Sequence, residues 1–63
     1  MNPEQYADAR KQLALLQRVS EDLVALKLIT QDEEFNKELN SRLISFRTNM
    51  EYLEKQINDY DNT

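Results

Sequence analysis

The chain is predicted to be all-α: an antiparallel helical hairpin that pairs with a second copy into a four-helix bundle. Three observations carry that expectation. From Leu39 to Tyr60 the apolar residues recur at alternating steps of four and three. That spacing lines them along one stripe of an α-helix, whereas a strand needs alternation by two. An earlier stretch carries a second and wider apolar face. The composition, 40% hydrophobic and 32% charged with no Gly and one Pro, is that of packed helices rather than of a disordered chain.

The first helix is predicted over residues 3–27. Asn2 is a strong N-cap, and Pro3 suits the first helical position, where its missing N–H would have been unpaired. Glu4 and Asp8 add negative charge near the positive end of the helix dipole. The buried face reads Ala9, Leu13, Leu16, Val19, Leu23 and Leu26, with Tyr6 at its early end and Leu15 and Ile29 flanking it. So broad a face suits a helix with two or more neighbours.

A turn is predicted at residues 28–30. No Gly or Pro marks it. The spacing Thr30-Gln31-Asp32-Glu33 is a capping-box pattern, in which Thr30 and Glu33 satisfy each other's free backbone N–H groups. Asp32, Glu33 and Glu34 also crowd acids into the first turn of whatever follows. The heptad register breaks here too: continuing the spacing of Leu16 and Leu23 through Thr30 puts Lys37 in the seam. A turn removes that conflict, and a single continuous helix does not.

The second helix is predicted over residues 31–59. Its seam is Leu39, Leu43, Phe46, Met50, Leu53 and Ile57, ending at Tyr60. Glu33–Lys37, Glu38–Arg42 and Glu51–Lys55 place an acid four residues before a base, each pair adding about 0.2–0.5 kcal/mol to a helix. The acidic tail, Asp59 to Thr63, lies at the negative end of the dipole and is expected to fray. The 63 residues then form a single domain in which the two apolar faces meet and self-associate.

A chain this short buries only about 60% of its unfolded surface, so a lone core is marginal. Small proteins add disulfides, a metal or a second subunit. With no Cys and no His, disulfides and the commonest zinc ligands are excluded, which leaves oligomerisation. The same absence removes a thiol nucleophile and an imidazole base, and without Gly there is no phosphate loop. Adjacent acids such as Glu21 and Asp22 point in different directions on a helix. An enzyme is therefore not expected, and neither is any cofactor or metal. The longest apolar run, Leu13 to Leu16, is far short of the ~20 residues of a membrane span. Residues 1–10 lack the apolar centre of a signal peptide. A cytoplasmic protein is the expectation.

What remains is binding. Ile44, Thr48 and Tyr52 follow one another at four-residue steps away from the main seam, a candidate docking strip for another protein. Val24 and Leu28 form a similar pair on the first helix. The leading expectation is therefore a small adaptor, regulator or inhibitor that acts on a larger protein through its homodimeric bundle.

The alternative is a nucleic-acid-binding regulator. Arg10, Lys11, Arg18 and Lys27 give the first helix its bases, and a dimer would double them. In length and layout the inferred bundle resembles the Rop family of plasmid RNA-binding proteins, which are dimers of helical hairpins. That resemblance implies RNA as a partner but carries no residue across. Glu4, Asp8, Glu21 and Asp22 interleave with the bases, and the chain's net charge of −4 opposes polyanions. A second alternative is a pure oligomerisation element whose only partner is itself.

Overall fold

The computed structural model describes residues 1–62. The chain forms two helices, α1 (Pro3–Ile29) and α2 (Glu33–Asp61). They lie side by side and antiparallel within an envelope of 47 × 14 × 14 Å. A continuous helix of this length would reach about 90 Å. Among the described residues there is no strand.

α1 starts where the sequence places it. Asn2 is the N-cap, and its side-chain oxygen accepts from the Gln5 amide at 2.8 Å while Gln5 Oε1 accepts from the Asn2 amide at 3.0 Å. The two orphan amides of the first turn are thus satisfied reciprocally. The other helix bounds differ from expectation. α1 runs on to Ile29, the turn is Thr30-Gln31-Asp32, and α2 begins at Glu33.

Asp32, not Thr30, caps α2. Its Oδ1 accepts from the Glu34 and Phe35 amides at 3.0 and 3.2 Å. A carboxylate at the positive end of a helix dipole holds two amides better than a neutral hydroxyl can. Thr30 instead closes α1, donating its N–H to the Leu26 carbonyl at 3.0 Å. Its hydroxyl accepts only from the Asp32 amide, at 3.4 Å.

At the other end, α2 stays helical through Asp61, two residues beyond the predicted end and through most of the tail expected to fray. Tyr60 explains this, since it completes the seam and stacks on Tyr6 with ring centroids 4.5 Å apart. Thr63 lies outside the described residues.

The core is a single seam between the helices. In α2 it holds the seven expected residues, Leu39 to Tyr60, with Leu39 and Leu53 buried and the rest half-buried. In α1 it runs through Tyr6, Ala9, Leu13, Leu16, Ser20 and Leu23. Val19 and Leu26, expected to face α2, instead stay 42% and 41% exposed on one flank of α1. Only one register can face a single partner helix, and the three-and-four steps from Tyr6 lead to Ser20. Ser20 Oγ, and Asn36 Oδ1 at the turn end of α2, are enclosed without a hydrogen-bond partner.

The expected acid–base pairs of α2 also resolve differently. Glu51 pairs backward with Arg47 at 3.5 Å, and that is the ion pair formed among the described residues. Both side chains are well exposed, so it contributes little.

Candidate interaction surface

A two-helix seam has two open sides, and they differ here. On one side, Leu15 and Val19 rise from the flank of α1, and Asn49 and Tyr52 rise from the flank of α2. Between them the seam residues Leu16, Phe46 and Leu53 form the floor of an open groove of about 640 Å³. The groove lies near the lengthwise middle of the hairpin. Heptad steps carry its α1 rim from Val19 to Leu26 and place Phe35 on the same flank of α2 as Asn49. Toward the termini the same side ends in a smaller hollow of about 360 Å³ lined by Met1, Gln56, Asp59 and Tyr60. The opposite side presents Arg47, Glu54, Gln17 and Val24 beside the seam, so it mixes charged, polar and apolar residues.

Local bonding fixes the groove rim. Tyr52 Oη accepts from Gln56 Nε2 at 2.8 Å, one helical turn on, which orients the ring at the edge of the groove. Asn49 and Gln12 are the polar members of the rim.

The docking strip predicted on α2 is divided. Ile44 and Tyr52 are 67% and 62% exposed, and Thr48 is also exposed. A step of four residues turns the helix by about 40° beyond a full circle, so Tyr52 stands about 80° around the axis from Ile44. Tyr52 has therefore reached the groove rim, beside Leu15 and Val19, whereas Ile44 points away from it. The Thr48 hydroxyl donates to the Ile44 carbonyl at 3.1 Å and is satisfied within its own helix. On α1, Leu28 is 82% exposed at the turn end.

The basic residues do not gather into one patch. Arg10 Nη1 donates to Tyr6 Oη at 3.2 Å, and its guanidinium carbon lies 5.8 Å from the centre of the Tyr6 ring. Lys11 and Arg18, a heptad apart, share an exposed face. Lys27 falls on the seam register at the far end of α1. Among the described residues no cluster of three or more acidic side chains is placed to hold a metal ion. No described helix is long and apolar enough to cross a membrane.

The groove itself was not foreseen as one surface. Leu15, Val19 and Tyr52 are legible as apolar, but the sequence pattern puts Val19 in the core face, Leu15 on its flank and Tyr52 in an outer strip. The three-and-four stepping of α1 through Ser20 was the signal that separates flank from seam. Nothing in the sequence marks Gln12 or Asn49 as rim residues. No family model, curated relative or solved structure matches the chain.

Proposed function

We propose that this chain is a small, non-enzymatic, cytoplasmic protein–protein interaction module, an adaptor, regulator or inhibitor that works as a homodimer closed into a four-helix bundle. One observation carries the reading: the hairpin's core is unfinished. Among the described residues only Ala9, Leu39 and Leu53 are buried, and no large side chain is fully enclosed. Ten large apolar residues remain exposed, several of them gathered on the groove side rather than scattered singly. A second hairpin is the simplest means of covering them, and it is the form in which a two-helix unit of this size becomes stable.

The contact with a larger protein is assigned to the outside of that bundle, at Ile44 with Thr48. Tyr52 belongs to the groove instead. Support for nucleic acid is weaker, because Arg10 is engaged by Tyr6 and only Lys11 and Arg18 share a face.

Light scattering across a wide dilution series tests the dimer, and a monomer at every concentration would sink it. Ile44→Glu tests the outer contact. The variant should keep its mass and helicity while losing a partner that the native chain retains. Retention of that partner would move the contact elsewhere. Salt-sensitive retention on heparin would instead revive the nucleic-acid alternative.

A further inference from the structure

We infer that the groove side is the dimer interface, that its occupant is a second copy of this chain, and that the two turns lie at the same end of the bundle. In this arrangement each α1 packs across the partner's α2. The inference rests on the homodimer proposed above and specifies its face and orientation.

Area argues for an occupant of this size. A compact monomer of 7.5 kDa exposes about 4,250 Å² by the usual scaling. The hairpin exposes 5235 Å², an excess of roughly 1,000 Å², and a stable interface covers about 800 Å² per partner. The excess is thus one interface's worth. The sides of the hairpin decide which face supplies it. Leu15, Val19, Leu26, Ile29, Phe35 and Tyr52 belong to the groove side, while the opposite side carries only Val24, Leu28 and Ile44 of the exposed large apolar residues, set among charges such as Glu21, Arg47 and Glu54. A twofold axis brings such a face onto its own copy and closes the assembly at two chains.

Two twofold arrangements cover the groove, with the turns together or at opposite ends. In both, every adjacent helix pair is antiparallel, so helix dipoles do not choose between them. Charges do not choose either. With the turns together, Asp22 comes to the level of the partner's Arg42, but Asp8 comes to that of the partner's Asp59. With the turns opposed, Asp59 meets the partner's Arg42, but Asp22 meets the partner's Asp8. Each arrangement therefore opposes one unlike pair and one like pair.

Apolar matching does choose. The turn third of the face carries Leu26, Ile29 and Phe35, with Glu38 at the fourth flank position. The terminal third carries Gln5, Asp8, Gln56 and Asp59 at the same flank positions. Opposed turns would seat leucine and phenylalanine on amides and carboxylates. Turns together bring Phe35 to the level of the partner's Ile29, place Leu26 at the level of the partner's Glu38, and leave the more polar terminal ends wet. The like charges then face water, where a Debye length of about 8 Å screens them at physiological salt. Burial of the apolar side chains outweighs that repulsion.

The chain has no Cys, so Gln31→Cys in the exposed turn can carry a single nitroxide per chain for a pulsed dipolar distance measurement. Turns together should give about 20–30 Å, a helix spacing of ~10 Å plus two label arms. A distance near the 47 Å length of the hairpin would overturn the orientation and leave the homodimer standing. Val19→Lys should weaken dimerisation by about a hundredfold or more, because it buries a charge, and Val24→Lys on the opposite side should not. A dimer that survives Val19→Lys, or is lost with Val24→Lys, would overturn the face but not the dimer. Should Val19→Lys lose its helicity by circular dichroism, Val19→Ala replaces it, with an expected weakening of about fivefold. An unchanged dimer there overturns the face as well. A native chain that stays monomeric in light scattering overturns both this inference and the reading it rests on.

Discussion

Tyr6 and Tyr60 stack across the open end of the hairpin, their ring centroids 4.5 Å apart and their planes 27° from parallel. They are 54 residues apart in the chain, and together they fix the register in which α1 and α2 meet. Arg10, one turn along α1, sits over the Tyr6 ring and donates to its hydroxyl. At the end of the hairpin without a covalent turn the stack joins the two helices, and Arg10 braces Tyr6 from within α1.

A double-mutant cycle measures what the stack contributes. Tyr6→Ala and Tyr60→Ala should each lower the melting temperature. Their combined effect should fall short of the sum by about 0.5–1.5 kcal/mol, the usual coupling of an aromatic pair beyond its buried area. Strict additivity in denaturant titrations would mean that the rings are neighbours without interacting.

The cap of α2 offers a test between two adjacent candidates. Asp32→Ala removes the acceptor of two backbone amides and should cost about 1 kcal/mol, within the 0.5–2 range of such caps. Thr30→Ala removes only a 3.4 Å bond to the Asp32 amide and should cost less than half as much. Thermal melts of the two variants, each at the same chain concentration, decide it. A larger loss at Thr30 would reverse the assignment of the cap.

Ser20 is the polar residue in the middle of the α1 seam, and its hydroxyl oxygen is enclosed without a partner. The register set by Tyr6 and Tyr60 brings it to the level of Phe46, where a small side chain leaves room for a large ring. Ser20→Ala keeps the volume small, removes the unpaired hydroxyl and improves helix propensity. Stability should rise by about 0.5–1.5 kcal/mol. Ser20→Leu should do the reverse, because it crowds the same level. If the alanine variant melts lower than the native chain, the hydroxyl is making a bond that holds the seam.

These residues also show how far the sequence could be read. The α2 seam was legible because its stripe is unbroken by polar residues from Leu39 to Tyr60. In α1 the periodicity was equally regular, but it passes through Ser20, Lys27 and Thr30. Apolarity alone therefore favoured Val19 and Leu26, which lie one position to the side. The turn was legible from its acids, but its position was not. Thr30 and Asp32 are both competent caps, and the choice between them depends on which one the descending chain brings to the free amides. The groove was the least legible feature, because it is made of flanks from two helices and exists only once their register is set. The division of Ile44 from Tyr52 follows from helical geometry alone, about 40° per four-residue step.

If the core is completed by a second chain, stability must depend on concentration. Unfolding of a dimer of two 63-residue chains carries an enthalpy of about 90 kcal/mol near 60 °C at the usual value per residue. Mass action then moves the melting temperature by about 6 °C for each tenfold change in chain concentration. A series from micromolar to millimolar, followed by circular dichroism at 222 nm, should show that slope in the native chain. In Val19→Lys it should vanish, because a hairpin that melts alone has no concentration term. Ile44→Glu, altered on the outside of the bundle, should keep the native slope. A native chain whose melting point is the same at every concentration would mean that the seam between α1 and α2 suffices. The exposed apolar groove would then stand open in the folded monomer, free for a helix from another protein.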